Sequence, residues 1–281
     1  MIEYKKYDSK DLKHVQQVEL KVLKEVISIC ESHNLKYYAY GGTALGAVRH
    51  GGFIPWDDDI DIAMFREDYD KLLKILDSEL SDEYYVLNLY THEKYYSTFT
   101  KVCLKGTEFK EEGSLPILYK QGIFIDIFPL DNVPKSKIKR KLYFREYDFH
   151  YHLLLNSIFK IETPNKISSF IHSVIHNFLN FYPKREGVVK RFMKYMARYN
   201  NKTNFVTVHP SRVDFLKFGR NGFFDKRDFE PSKNVKFEDI EINIPYDYDK
   251  ILTTYYGDYM TIPPKEERFN HAPEMIDFGK Y

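Results

Sequence analysis

The run DDDIDIAM at residues 57–64 constrains this chain more than any other stretch. Ile60 and Ile62 alternate with Asp59 and Asp61, the period-2 pattern of a strand whose two faces differ in chemistry. One face is apolar and belongs in a core. The other gathers carboxylates at i and i+2 that point the same way and can share a divalent cation, and an all-oxygen set of this kind suits Mg²⁺ or Mn²⁺. Asp57 joins the same face if the strand begins early. Alone, an Asp-x-Asp pair is as readily a solvated edge, so the argument needs more of the chain.

Two further features supply it. Upstream, the aromatic run 36–40 reads as a short buried strand stopped by Gly41-Gly42, after which Thr43–His50 reads as a brief helix closed by Gly51-Gly52. A glycine pair lets backbone approach a polyphosphate closely, and the helix start behind it offers unpaired N–H groups, so Gly41, Gly42 and Thr43 form a candidate phosphate-binding turn. Taken alone, Gly-Gly is a plain turn. Downstream, GIFIDIFPL (122–130) reads as a strand with Ile123, Ile125 and Ile127 on one side and Phe124, Asp126 and Phe128 on the other. A carboxylate between two phenylalanines is costly without a cation or a hydrogen-bond partner. Asp126 therefore stands as the third acid beside Asp59 and Asp61, able to complete a metal shell or to take the proton of an attacking hydroxyl.

The rest of the first half has the rhythm of a mixed α/β unit. Leu12, Val15, Val18, Val22, Val26 and Ile29 mark one helical face, with a start near Asp8 or Ser9; Tyr69, Leu72, Leu73, Leu76 and Leu80 mark another over 66–80. Residues 84–90 and 95–105 read as paired strands around a turn at 91–94. After Pro134 the chain turns basic (Lys135, Lys137, Lys139, Arg140, Lys141, Arg145) and then rich in Leu, Ile, Phe and His, mainly helical to 182 with a break at 163–165. From 205 onward it returns to short strands and loops. The expected organisation is a catalytic core over 1–134, a helical variable region over 135–204, and a C-terminal segment, 205–281, folded back on the core.

Composition removes several function classes. Forty-two Lys+Arg against 41 Asp+Glu leave a net charge of +1, without the cationic excess that nucleic-acid binding requires. Two cysteines are too few for a thiolate zinc site or a disulfide framework, and point to a reducing compartment. No leader-like or bilayer-spanning apolar run is visible, so a cytoplasmic protein is expected. The 24 Tyr and 22 Phe fit either stacking surfaces and cation cages or an aromatic core.

Taken together, GGTALGAVRHGGFIPWDDDIDIAM, GIFIDIFPLD and YGDYMTIPP resemble the LicD family of phosphotransferases, relatives of fukutin within the nucleotidyltransferase superfold. The resemblance runs from about residue 15 to 133 and recurs over about 235–271. It implies a mixed α/β nucleotidyltransferase-like core and a cation-dependent enzyme that moves a phospho-alcohol from a CDP-linked donor to a glycan hydroxyl and releases CMP. In the family pattern Gly41 and Gly42 match the small pair before the helix, Asp59 and Asp61 the metal-binding acids, and Asp126 the later strand carboxylate, with Asp57 an outer or additional ligand. Ala44 stands where many members carry Leu.

Other residues are assigned from chemistry and position. Arg49, just past the glycine-turn helix, could hold a donor phosphate or make a surface ion pair. Lys101, in FTKVC, could neutralise the pyrophosphate or be a strand-edge lysine. Trp56 is the first aromatic to consider around a quaternary ammonium. His50 is grouped with it on the substrate side, and Arg268 and His271 enter through the resemblance alone. His172 and His176 share a helix face but lack the Glu of the zinc-protease motif, so packing accounts for them better than metal binding. The basic run 135–145 is either a solvated helix face or a contact with anionic lipid near a lipid-linked acceptor. The expected reaction is transfer of phosphocholine from CDP-choline to a cell-surface glycan or teichoic-acid precursor, at the cytoplasmic side of the membrane. The rivals are transfer of ribitol or glycerol phosphate, a nucleotidyltransferase, and a non-catalytic binding module.

Overall fold

The structure, a computed structural model, describes residues 7–111, 116–160, 165–181, 185–208, 222–268 and 270–281. Its first helix, α1 (Ser9–Ser32), begins where Asp8 accepts the N–H of Lys10, and buries the predicted stripe of Val15, Val18, Val22, Val26 and Ile29. The glycine-turn helix α2 (Gly41–His50) follows β1 (Tyr38–Ala39), and α3 (Arg66–Glu79) follows β2 (Asp61–Phe65). β3 (Tyr84–Leu87), β4 (Thr100–Leu104), β5 (Glu108–Lys110) and β6 (Phe124–Asn132) complete the first half. The chain is thus a mixed α/β fold.

The main sheet runs β1-β2-β6-β4-β3. β2 and β6 are parallel; β1, β4 and β3 each run antiparallel to their neighbours. Nine residues make β6 long enough to take β4 along 124–127 and β7 (Phe205–Val208) along 130–132, with β8 (Phe224–Asp225) beyond. α1 and α3 lie against this sheet, α1 over β4 and β6 and α3 over β2 and β6. On the opposite face, a smaller core of Tyr38, Ala63, Leu130, Phe224, Phe229 and Ile251 packs against one end of the sheet. The buried pair of Arg66 and Asp131, 2.9 and 2.5 Å apart, ties the start of α3 to the end of β6.

α4 (Lys137–Ile158), α5 (Lys166–Phe181) and α6 (Arg185–Met196) form the helical part. The basic run begins α4. Tyr143, Tyr147 and Tyr151 on α4 pack against Phe192 and Tyr195 of α6, with the Tyr143 and Tyr195 rings stacked at 5.2 Å. Here the aromatic surplus serves as core. His172 and His176 donate to the side-chain and main-chain oxygens of Asn156 at 2.9 and 2.5 Å, so the pair fastens α5 to α4. Of the predicted break, residues 163 and 164 lie outside the described residues; Asn165 starts α5 by accepting the N–H groups of Ile167 and Ser168.

Two local expectations change. The turn between the paired strands spans 88–99, because Asn88 and Thr91 close a tight loop of their own where β3 was expected to continue. The tail holds a helix, α7 (Tyr248–Tyr256), capped by Asp247, after the hairpin of β9 (Lys233–Phe237) and β10 (Ile240–Ile244); its Tyr and Thr residues read as strand in isolation, but buried Ile251 and Leu252 anchor it. Last, β11 (Met275–Asp277) pairs with β5. Among the described residues no helix is long and apolar enough to cross a membrane.

Candidate active site

Strand register assembles the site. Asp61 on β2 stands directly opposite Asp126 on β6, and Asp126 directly opposite Lys101 on β4, so the three side chains form a row across neighbouring strands on one face. Lys101 Nζ lies 3.1 and 3.3 Å from the two Asp126 oxygens and 3.3 Å from a Glu111 oxygen, over the Phe124 ring. The strand begins only at Asp61. Asp57, Asp58 and Asp59 belong to the run-in, where Gln16 Nε2 holds the Asp57 carbonyl at 2.8 Å.

The glycines make room for the acids. Gly41 adopts φ +53°, and a Cβ there would lie 3.1 Å from Asp61 Oδ2 and 3.8 Å from the Tyr256 hydroxyl; one on Gly42 would run into the Asp57 carboxylate. Thr43 Oγ1 accepts the Asp61 N–H at 2.8 Å, which locks the turn to the acidic strand. Every member of the predicted glycine turn therefore bears on an aspartate of the run 57–61. The α2 N-terminus has no side-chain cap.

Carboxylates crowd this face. Burial lifts Asp61 well above the usual carboxylate range, with Asp59, Asp126 and Asp57 pushing the same way and Lys101 opposing. Asp57 is raised by burial and by Asp59 and Asp58. Burial drives Asp126 up to about 7 against the pull of Lys101. Repulsion of this kind is what a bound cation would relieve. Oxygens of Asp57 and Asp59 and a ring nitrogen of His271 lie within 4.8 Å of one another, a cluster able to hold a metal ion.

The C-terminal segment delivers the remaining predicted residues. Arg268 stacks on Trp56 with its guanidinium carbon 4.5 Å from the ring centroid, and Arg49 approaches the same ring at 5.9 Å. The indole offered as a cage for a quaternary ammonium thus serves two guanidinium groups. Arg49 donates to the Tyr259 carbonyl at 2.6 Å and to His50 Nε2 at 3.0 Å, and Arg268 to the Pro263 carbonyl at 3.0 Å. Neither has a carboxylate partner among the described residues. Burial first, then Arg268, lowers the Arg49 pKa. His50 sits edge-on to Trp56, its basicity lowered by burial and by Arg49.

Several residues of the site escape the sequence reading. Asp58, buried, accepts the Tyr7 hydroxyl at 2.8 Å and the His271 N–H at 2.7 Å, tying segments from opposite halves of the chain to the acidic run. Glu111 partners Lys101 with no sequence signal. Glu19 does leave one, an acid within the apolar stripe of α1. Its Oε2 is buried without a hydrogen-bond partner among the described residues, and burial followed by Asp59, Asp58 and Asp57 raises it well above the carboxylate range.

A parallel β2–β6 pair presenting acids beside a glycine turn, with an arginine pair alongside, defines a phosphoryl- or nucleotidyl-transfer class of site. Residues 34–158 match the profile of the LicD/FKTN/FKRP nucleotidyltransferase domain, and the chain is a phosphotransferase that carries this LicD-type domain. It is similar to the lipopolysaccharide cholinephosphotransferase LicD of Haemophilus influenzae, at 27% identity over 92% of this chain and 95% of that protein. An uncharacterized protein of Rickettsia prowazekii is 39% identical over 30% of each chain. The human ribitol 5-phosphate transferase FKRP is 44% identical over 15% of this chain and 9% of its own length.

Proposed function

We propose that this enzyme transfers phosphocholine from CDP-choline to a hydroxyl of a cell-surface glycan or teichoic-acid precursor, with Mg²⁺ or Mn²⁺ as cofactor. The observation that carries the reading is the Asp61–Asp126 pairing, backed by Asp57 and Asp59 against the glycine turn. The near full-length similarity to a cholinephosphotransferase favours choline; the match to a ribitol phosphate transferase is confined to a short segment.

The residues present fit a hard divalent cation: their donors are mainly carboxylate oxygens, the glycines leave space for them, and they repel one another without one. Asp57, Asp59, Asp61 and Asp126 would hold it, with His271 beside Asp57 and Asp59. When bound, it neutralises charge on the donor pyrophosphate. Arg49 and Arg268, without a carboxylate partner among the described residues and gathered on Trp56, bind and orient the phosphates. Lys101 holds Asp126 in place. The acceptor hydroxyl attacks the phosphorus bearing choline in line; a new P–O bond forms as the bond to the bridging oxygen breaks, CMP leaves with the electron pair, and the hydroxyl proton passes to solvent. In this reading the acceptor is carried on a lipid while still a precursor, so the reaction runs at the inner face of the membrane.

The test is CMP release by the purified chain given CDP-choline, CDP-ribitol or CDP-glycerol, with Mg²⁺ or Mn²⁺ and a glycan acceptor. Asp59→Asn, Asp61→Asn and Asp126→Asn should each abolish turnover with unchanged circular dichroism. Release of CMP only from the ribitol or glycerol donor would reassign the substrate. An acceptor that keeps the nucleotide would make the enzyme a nucleotidyltransferase.

A further inference from the structure

α5 turns its apolar side outward. Ile167, Phe170, Ile171, Val174 and Phe178 follow the 3-1-3-4 spacing of a single helical stripe, and all are between 51% and 72% exposed. The opposite side is engaged: His172 and His176 hold Asn156, and Ile175 packs on the core. The orientation is therefore fixed by polar contacts that commit the histidines inward and the stripe outward. On a helix buried in a globular core the stripe would face the other way.

α4 presents a second surface of the same character. Ile138, Leu142 and Phe149 are exposed at one face, interleaved with Lys141 and Arg145 and flanked by Lys137 and Lys139. None of these basic residues has a carboxylate partner among the described residues, and the exposed acid beside them, Glu146, is taken by Arg198 at 2.6 Å. Arg140 is different: its guanidinium stacks on Phe223 and Phe205, and it donates to the Pro134 carbonyl, so it belongs to the packing.

We infer that α5 and the outward side of α4 form a docking surface for an anionic lipid bilayer. Exposed Ile, Phe and Val at helical spacing supply the area that enters the acyl boundary, and unpaired lysines beside them supply attraction to anionic headgroups. A second copy of the chain fits poorly, because a two-fold contact through this face would set its lysines against their own copies. The surface lies outside the donor site and the inference does not depend on which CDP-alcohol is used.

The experiment is co-sedimentation of the full chain with phosphatidylcholine vesicles with and without phosphatidylglycerol. Wild type should partition onto the anionic vesicles and much less onto the neutral ones. Phe170→Ser with Phe178→Ser should remove most of that binding, and Lys137→Gln, Lys139→Gln and Lys141→Gln together should weaken it on the order of 100-fold. CMP release from the donor with a soluble acceptor should stay unchanged in both, which separates this surface from the reaction assignment. In Phe170→Trp, the added fluorescence should shift to the blue on anionic vesicles. Wild type left in the supernatant, or binding untouched by both variant sets, would overturn the inference. So would a concentration-dependent dimer that Phe170→Ser with Phe178→Ser abolishes, since the stripe would then be an interface between copies.

Discussion

Lys101 and Asp126 face each other across the β4–β6 pairing, with Nζ 3.1 Å from the nearer carboxylate oxygen, in the same row as Asp61. Burial would strip the lysine's charge were Asp126 and Glu111 not beside it: their pull leaves its pKa raised. Lys101→Met should therefore destabilise the protein by roughly 3 kcal/mol near neutral pH and above, because it leaves buried carboxylates uncompensated. The loss should shrink at mildly acidic pH, where Asp126 can protonate, and in Lys101→Met/Asp126→Asn. Urea unfolding at the two pH values checks this; an equal loss at both would mean that Lys101 acts by packing.

The same carboxylate predicts how the metal-free protein responds to pH. Its folded pKa of about 7 lies above the ordinary aspartate value of about 3.9 in the unfolded chain. The stability it confers is complete below about pH 4 and is lost as pH rises through about 7, since across that window the folded state holds the proton more tightly. Melting temperature in chelator should fall over this range, Asp126→Asn should flatten the fall, and added Mg²⁺ or Mn²⁺ should reverse it in wild type. A melting temperature that climbs toward neutrality with no response to cation would contradict the crowded-carboxylate account.

How much of this was readable in advance depends on the distance over which residues meet. Asp126 was legible because a charge on an apolar strand advertises its cost, and Asp61 because alternation fixes its face; Asp59 lies before the strand, where alternation fixes nothing, and meets Asp57 and His271 through the run-in. Gly41 and Gly42 were legible as a place where backbone must come close, but the closeness is to Asp61 and Asp57 as well as to any phosphate. Arg268 and His271 reach the site from more than two hundred residues downstream, through the pairing of β11 with β5 and the His271–Asp58 bond, and no local period encodes such a contact. α7 was missed for the opposite reason: its local composition of Tyr and Thr favours a strand, and tertiary burial of Ile251 and Leu252 overrides it.

The glycine turn can be tested against a matched control. Gly42→Ala should fold and lose most turnover, because its Cβ displaces the Asp57 carboxylate. Gly51, the αL residue that ends α2, has φ +68° and open space where a Cβ would stand. Gly51→Ala should therefore cost about 1 kcal/mol of backbone strain and leave turnover near wild type. Matched losses of activity in the two variants would mean that strain, and not the carboxylate, is what the turn protects.

Trp56 separates two ways of recognising the donor. If the indole enclosed the trimethylammonium, Trp56→Leu would raise KM for CDP-choline and spare CDP-glycerol. The geometry gives its face to Arg268 and its surroundings to Arg49, and a third cation there would meet two guanidinium groups of like charge. An indole in that position orders the arginines that meet the phosphates, so its loss should weaken every CDP-linked donor alike, by about tenfold for a cation–π contact of ordinary strength. Arg268→Ala should do the same and raise the inhibition constant of CMP in parallel. Steady-state kinetics with the two donors decides: equal factors place Trp56 behind the phosphate contacts, and a loss confined to CDP-choline returns it to the alcohol.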